Sequence, residues 1–185
     1  HPNVCSRASL YRQYDATVRP NPVVHPGADA AVIRIKSGSS SAPASRCEKG
    51  IAMTLDCNSR FCQIDPRQGT ALSVAEAYRN ITAVGAEPIG ISDCLNFGSP
   101  QRPDSMWQIA ESVRGLGDAA RAFEIPVVSG NVSLNNETRG KAVLPTPQIA
   151  LVGLLADARK AVTIHFKTRG DRVLLIGETF LRELG

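Results

Sequence analysis

Two short segments carry residue types suited to binding a phosphorylated ligand. The first, SDCLNFGSP at 92–100, places Asp93 where a carboxylate leaving a strand can face a cation or a nucleotide hydroxyl. Asn96 and Gly98 allow a tight turn beside it. Mixed α/β sheets often bind ligands beyond the C-termini of their strands, so this segment is a candidate site. The alternative is that Asp93 only caps a turn, and the residues alone leave both interpretations open.

The second segment, SGNVSLNNET at 129–138, combines a glycine, an amide and a hydroxyl. Gly130 lacks a side chain, so backbone N–H groups could approach phosphate oxygens there. Asn131 offers a hard amide oxygen suited to Mg²⁺, and Ser133 adds a hydroxyl donor. The spacing is not that of a P-loop, and a Gly-Asn turn with Ser/Thr capping is the alternative.

A third set of oxygen-bearing residues is spread more widely. Glu76 and Asn80 are four residues apart and share a face of a predicted helix, and Asp29 begins the first predicted strand. Together they could hold a hard cation. The alternative is a solvated polar face.

Hydrophobic periodicity predicts the elements that must position these residues. The pattern predicts one helix between Gly69 and Gly85 and a second that begins with Asp104 as N-cap and ends before Pro126. The resulting order, β-β-α-β-α-β-β, is typical of an α+β fold with a mixed sheet and two main helices. Strands are predicted at 29–36, 51–56, 88–93, 127–129 and 147–155.

Each predicted helix carries an apolar stripe at three- and four-residue spacing. In the first helix this stripe comprises Val74, Ala77, Tyr78 and Ile81. In the second it comprises Met106, Ile109, Ala110, Val113, Gly117, Ala120 and Phe123.

The composition shift along the chain predicts three parts. Residues 1–28 are a proline-containing lead-in with a short helix around ASLYRQYD, which would put Leu10, Tyr11 and Tyr14 on one side. Residues 29–156 form the main domain. Residues 157–185 form a polar linker and a strand, RVLLIG, that opens a truncated second domain. Because the sequence starts at His1 and stops soon after that strand, we expect a piece of a longer protein.

Composition excludes several classes of protein. The 185 residues are 43% apolar and 21% charged, which is typical of a globular domain. Neither a signal peptide nor an apolar run of the roughly 18 residues that span a bilayer is present, so we expect an intracellular protein without a membrane partner. The net charge of +4 is spread out and aromatic residues make up 5%, which disfavours a nucleic-acid partner.

The five cysteines are an odd number without a secretory signal, which indicates reduced thiols. Cys57 and Cys62 are close in sequence, but a zinc site would need two further ligands nearby, and no histidine is close to the pair.

The chain closely resembles members of the phosphoribosylformylglycinamidine synthase family. The resemblance covers nearly all of residues 9–177, and its most specific motifs are SDCLNFG and SGNVS. It rests on strings that occur in this order: YRQYD, PGADAAV, LDCNSRF, DPRQGTALSVAEAYRN, GAEPIGISDCLNFGSP, MWQIAE, IPVVSGNVSLNNET and PTPQIALVGLL.

The resemblance implies both a fold and a reaction. The chain would be the second A-type domain of the synthetase subunit of the small, multi-subunit form, followed by the first strand of its second B-type domain. A-type domains resemble the N-terminal domain of aminoimidazole ribonucleotide synthetase.

The implied enzyme is a cytoplasmic ligase of de novo purine biosynthesis. It uses ATP, Mg²⁺ and glutamine-derived ammonia to convert formylglycinamide ribonucleotide to the amidine, with ADP and phosphate as products. The implied partners are a glutaminase subunit, a small bridging subunit and the first A-type domain.

The resemblance also implies residue roles. ATP contacts fall on Asp93 and Gly130, a Mg²⁺ ligand on Asn131 and a substrate contact on Ser133. The set of Asp29, Glu76 and Asn80 resembles the cation ligands of a second, non-catalytic nucleotide site in the family's large form. The family's catalytic histidines belong to the first A-type domain. We therefore expect no catalytic residue in this chain and no turnover by this segment alone.

Two alternative functions remain at this stage. One is a related enzyme such as aminoimidazole ribonucleotide synthetase or a selenophosphate synthetase, against which DCLNFG and SGNVS argue because those relatives have different nucleotide loops. The other is a non-catalytic module that holds a nucleotide and pairs with another A-type domain through its sheet.

Overall fold

The computed structural model describes residues 5–13, 21–36 and 48–177, in which a six-stranded mixed sheet carries two long helices. The helices are α1 Ala8–Tyr11, α2 Ser59–Ile64, α3 Pro66–Ala83 and α4 Pro103–Ala122, and a 3₁₀ helix spans Ala158–Lys160. The strands are β1 Pro22–Val24, β2 Ala31–Arg34, β3 Gly50–Asp56, β4 Glu87–Asn96, β5 Val127–Ser133, β6 Glu137–Thr138, β7 Lys141–Ala142 and β8 Thr146–Leu155.

The sheet has the strand order β1-β2-β3-β8-β4-β5. All neighbouring strands are antiparallel except β4 and β5, which run parallel and are connected through α4. The predicted α+β class with a mixed sheet and two main helices is therefore confirmed. Within the described residues, the structure adds β1, α2 and the β6–β7 hairpin to the predicted elements.

Strand β8 lies at the centre of the sheet and shows a strict alternation of buried and half-buried residues. Its buried residues, among them Ile149 and Leu151, face α3. Gly153 allows the helix to approach, because a Cβ there would lie 3.0 Å from the Cβ of Ala86 and would also overlap Ile81. This alternation places one face of the sheet in the core.

Helix α3 begins earlier than predicted. Asp65 is its N-cap, accepting a hydrogen bond from the N–H of Gln68, and Pro66 is the first helical residue. Gly69 is thus an internal residue, where a Cβ would lie only 2.6 Å from the backbone N of Cys62 in α2. The predicted stripe is confirmed for its fully buried members, Val74, Ala77 and Ile81.

Helix α4 starts differently from the prediction. Arg102 is the N-cap, Pro103 is the first helical residue and Asp104 lies in the first turn, so the prediction of Asp104 as N-cap is wrong. The physical reason is that the residue before a proline favours extended backbone, whereas the fixed φ of proline suits the first helical turn. Asp104 still favours the helix start, because a negative charge interacts well with the N-terminal dipole.

The buried face of α4 also differs from the predicted apolar stripe. Met106 and Val113 are each 48% exposed. The buried positions are instead mostly small: Ser105, Ser112, Gly115, Leu116, Ala119 and Ala120. Close packing against α3 explains the difference, because a Cβ on Gly115 would overlap the backbone carbonyl group of Arg67. Small residues permit that approach and turn the larger apolar side chains outward.

At both ends of the described chain, the structure differs from the predicted elements. Strand β1 lies within the segment assigned as lead-in and pairs with β2. The predicted helix around ASLYRQYD is confirmed only for Ala8–Tyr11, and Tyr14 is outside the described residues. The predicted strand RVLLIG does not form within the described residues, since 172–177 contain no strand and Val173 to Ile176 are 76–94% exposed. In the described part of the chain this apolar run has no neighbouring strand with which to pair.

The sheet face opposite the helices bears a second group of apolar side chains. They are half-buried or exposed in the part of the chain that the structure describes, with Leu55 60% exposed. The register places them side by side across three adjacent strands: Ile33 of β2, Ile51, Met53 and Leu55 of β3, and Val152 and Leu154 of β8. We call this surface the open face.

The contact of α3 with α4 predicts opposite effects for two nearby glycines. Gly115→Ala should lower the free energy of unfolding by about 1–3 kcal/mol, because the new methyl group would overlap the carbonyl of Arg67. Gly117→Ala is the matched control, because its methyl group would meet only the flexible Arg121 side chain, at 3.3 Å. It should raise stability by about 1 kcal/mol through helix propensity. Urea unfolding of both variants tests this, and equal effects would refute the packing argument.

Candidate functional site

The two predicted site segments lie side by side on β4 and β5. Asp93 lies opposite Gly130, Cys94 opposite Asn131, and Asn96 opposite Ser133. The predicted strand ends at 93 and 129 are wrong, since β4 continues to Asn96 and β5 to Ser133. Strand β5 is at the sheet edge and almost entirely exposed, so polar residues can extend it without burial. The structure thus brings all four predicted site residues together.

Strand alternation divides these four residues between the two faces of the sheet. Asp93 and Gly130 share a face with Ile149, which lies in the helix-covered core. Asn131 and Ser133 therefore belong to the opposite side, the side of the open face. Because β5 is an edge strand, a ligand can reach both sides by passing around it.

Asp93 and Gly130 are in close contact. A Cβ at position 130 would lie 2.6 Å from the Cγ of Asp93, so only glycine fits beside this carboxylate. Partial burial raises the pKa of Asp93, and a hydrogen bond from its own backbone N–H opposes this rise. A nearby cation or hydroxyl donor would stabilise the charged form that burial disfavours.

On the opposite side of the same strands, two hydroxyl groups meet. The Oγ atoms of Ser92 and Ser129 are 2.7 Å apart. Sequence reasoning did not single out this pair, although each serine directly precedes a predicted site residue. The contact links β4 to β5 in addition to their backbone hydrogen bonds.

Asn136 connects the ends of β4 and β5 and was missed by sequence reasoning. Its Nδ2 donates to the carbonyl oxygens of Ser133 at 2.8 Å and Phe97 at 3.1 Å. Its Oδ1 lies 3.2 Å from the Oγ of Ser133. The backbone N–H of Phe97 donates to the same Ser133 carbonyl, at 3.1 Å, and Phe97 is completely buried. Ser133 is therefore held on a rigid frame.

Next to Asn136 lies a small open cavity of about 380 Å³ whose lining combines amide and hydroxyl groups with apolar surface, within the size range of small-molecule sites. Two of its lining residues, Asn136 and Val143, flank the β6–β7 hairpin, and positive φ angles at Arg139 and Gly140 suit the tight turn of that hairpin. The lining residues are Asn96, Asn136, Val143, Thr146 and Gln148.

Asn131 is the predicted Mg²⁺ ligand and lies exposed on β5. Among the described residues no group of three His, Cys, Asp or Glu side chains could hold a metal ion. A single amide oxygen suits Mg²⁺ bound mainly through phosphate oxygens and water, as is common for this ion. The residues present therefore fit a nucleotide-borne Mg²⁺ better than a cation held by protein side chains alone.

One residue of the third predicted set, Asn80, contacts Asp56. The amide of Asn80 donates to its Oδ1 at 3.0 Å, and the hydroxyl of Thr54 donates to its Oδ2 at 2.7 Å. The cation site at Asp29, Glu76 and Asn80 remains a prediction.

The cysteine pair has a local structural role at the start of α2. Cys57 directly precedes the N-cap Asn58, and Cys62 follows in the helix, the positions at which side chains often pack together at helix starts. A hydrogen bond between the two thiols raises the pKa of Cys57 and lowers that of Cys62. Burial and the charge of Glu76 raise the pKa of Cys57 further.

Comparison with known proteins defines the class of this domain. Residues 27–155 match the family described as AIR synthase related protein, N-terminal domain. The chain belongs to this family. The match ends at Leu155, where β8 ends.

The individual relatives are more specific. The chain is 52% identical, over 96% of its length, to phosphoribosylformylglycinamidine synthase subunit PurL of Parvibaculum lavamentivorans, of which it covers 23%. It is 30% identical to T. maritima PurL complexed with ATP, with a TM-score of 0.71 over 85% of this chain and 24% of that one. The same protein complexed with FGAR gives a TM-score of 0.71 at 30% identity, over 86% of this chain and 24% of that one. The predicted resemblance is confirmed, and the chain spans about a quarter of its relatives' length.

The tight fit of Asp93 against Gly130 predicts a strongly non-additive pair of substitutions. Gly130→Ala should cost about 1–3 kcal/mol of stability in the native chain, because the new Cβ overlaps the carboxylate. In an Asp93→Ala background the same change should cost much less, since the overlapping group is gone. Urea unfolding of the four chains measures the difference, and an equal cost in both backgrounds would show that the carboxylate does not restrict position 130.

Proposed function

We propose that this chain is the second A-type domain of a phosphoribosylformylglycinamidine synthase of the small, multi-subunit form. The complete enzyme would convert formylglycinamide ribonucleotide, ammonia and ATP to the amidine, ADP and phosphate. The observation that carries the proposal is the paired β4–β5 unit, which brings the four expected ligand contacts together at one sheet edge. The solved relatives complexed with ATP and with FGAR support the same ligands.

The residues of this chain would bind and orient the reactants. In the overall reaction the amide oxygen of the substrate is phosphorylated and ammonia then displaces phosphate. Gly130, which leaves the backbone open to approach, would contact the nucleotide phosphates, and Asp93 would contact the nucleotide beside it. Asn131 would ligate Mg²⁺, which neutralises charge on the transferring phosphoryl group. Ser133 would hold the substrate on the opposite side of the strand.

The acid–base groups of the reaction would lie outside this chain, in the first A-type domain. We propose that 29–156 form the nucleotide-binding domain and that 157–185 lead into a B-type domain. The exposed apolar run Val173 to Ile176 supports the second assignment, because such a run suits a strand within a larger domain. Residues 1–28 remain assigned as a lead-in, to which β1 belongs.

The open face would be covered by the first A-type domain. Its six apolar side chains form a continuous surface across β2, β3 and β8, which is typical of an interface. A glutaminase subunit supplying ammonia and a small bridging subunit would complete a cytoplasmic enzyme. No helix in the described ranges 5–13, 21–36 and 48–177 is long and apolar enough to span a membrane.

Turnover of the full-length synthetase chain that carries this segment tests the proposal. We expect formation of the amidine and ADP only when formylglycinamide ribonucleotide, ATP, Mg²⁺ and an ammonium salt are all present. Asn131→Ala should raise the Mg²⁺ concentration for half-maximal activity about tenfold, because a ligand oxygen is lost. Ser129→Ala, two residues away on the same side, is the control and should leave this concentration unchanged.

Two outcomes would contradict these assignments. Absence of turnover dependent on formylglycinamide ribonucleotide in the folded full-length chain would refute the proposed reaction. An unchanged Mg²⁺ requirement in the Asn131→Ala variant would remove Asn131 from the metal ligands while leaving the reaction intact.

The open face predicts that the chain self-associates when it is prepared on its own. A second copy can cover the apolar surface that the first A-type domain would otherwise cover. Leu55→Lys should shift the chain toward monomer at tens of micromolar, because a charge would be placed within the surface. Leu72→Lys, at a similarly exposed position on α3 beside α4 and away from the open face, is the control and should not do so. Analytical ultracentrifugation measures this, and a wild-type chain that stays monomeric would count against the pairing surface.

A further inference from the structure

We propose that Asn136 is a positioning residue that orients the hydroxyl of Ser133, so that Ser133 meets the substrate as a hydrogen-bond acceptor. The inference rests on the proposed function, in which Ser133 contacts the substrate. It adds a residue that the resemblance does not assign, and it restricts which part of the substrate that serine can bind.

The orientation of the Asn136 amide follows from its neighbours. Its Nδ2 lies 2.8 Å from the Ser133 carbonyl oxygen and 3.1 Å from that of Phe97. With the amide rotated by half a turn, Oδ1 would face both carbonyl oxygens and three acceptors would repel one another. The amide nitrogen must therefore face the two carbonyls, and its two protons are used by them.

In the hydrogen bond between Asn136 and the Ser133 hydroxyl, only one choice of donor and acceptor is then favourable. The Oγ of Ser133 lies 3.1 Å from Nδ2 and 3.2 Å from Oδ1 of Asn136. Because both N–H protons point to carbonyls, the hydroxyl donates its own proton to Oδ1. The lone pairs of the Ser133 oxygen then remain for a ligand.

Because the Ser133 hydroxyl donates to Asn136, it can bind only certain groups of a ligand. An oxygen whose proton is already donated accepts a hydrogen bond, so its partner is an N–H or O–H group and not a phosphate oxygen. In formylglycinamide ribonucleotide such donors are the amide N–H groups and the ribose hydroxyls. The adjacent cavity of about 380 Å³, lined in part by the amides of Asn96 and Gln148, has room for such a part of the substrate.

The surrounding backbone holds this arrangement in place. The N–H of Asn136 donates to the Phe97 carbonyl at 3.1 Å, and Asn135 adopts a positive φ of 62° that turns the chain back toward β4. Asn136 is thus joined to both strands of the site, through Phe97 at the end of β4 and Ser133 at the end of β5.

Steady-state kinetics on the full-length synthetase chain tests the inference with Ser133→Ala, Asn136→Ala and the double variant. We expect Asn136→Ala to raise the KM for formylglycinamide ribonucleotide about tenfold, because the serine is no longer oriented. The KM for ATP should change less than about twofold. The double variant should be no worse than the more affected single variant, because Asn136 acts through Ser133.

Controls separate positioning from loss of structure. Asn136→Gln keeps the amide but displaces it by one methylene from the two carbonyls and the hydroxyl, so it serves if the alanine variant does not fold, and the same kinetic result is expected. Asn135→Asp changes an amide one residue away, at a position where aspartate also tolerates the positive φ, and should leave both KM values unchanged. Equal increases in the two KM values, multiplying losses in the double variant, or an unchanged KM for formylglycinamide ribonucleotide would each overturn the inference. Absence of any turnover in the folded wild-type chain would instead refute the proposed function.

Discussion

The parallel pairing of β5 with β4 is the interaction on which the geometry of the site depends. Strand β5 is an edge strand, and its only neighbour among the described strands is β4. Its register is defined where the Asp93 carboxylate lies over Gly130, since a Cβ at that position would overlap the carboxylate. A slip by one residue would bring Ser129 or Asn131 against Asp93 and reverse the faces of every side chain on β5.

The elements that surround this pair were largely predictable, because their burial is visible in the sequence. Strand β8 alternates strictly between buried and half-buried residues, and α3 buries the same stripe that its periodicity predicts. Helix α4 shows where this reasoning fails. Its contact with α3 depends on the absence of a side chain at Gly115. Helical periodicity identifies a buried face by its large apolar residues, so it does not identify a face that is buried because its residues are small.

The candidate site was predictable in its residue types but not in its arrangement. The glycine, amide and hydroxyl groups in 129–138 indicated ligand binding. The sequence did not indicate that 130–133 continue the strand, because an exposed edge strand lacks the alternation of apolar and polar residues that predicts strands. The division of the four residues between two faces follows only from the register. Asn136 was missed because its side chain binds the backbone carbonyl groups of Phe97 and Ser133. Every residue has such a carbonyl group, so these contacts cannot be predicted from residue types.

The four predicted site residues are divided between the two faces of the sheet, and this limits where the proposed ligands can meet. Gly130 and Ser133 are on one short strand but on opposite sides of it, and the main chain closes the path between them. Atoms that react with one another must therefore come together around the outer edge of β5. An unpaired edge usually invites association with another strand. Here the glycine, asparagine and serine residues give the exposed edge a polar surface, so the proposed nucleotide and substrate contacts could serve one reaction without a channel through the sheet.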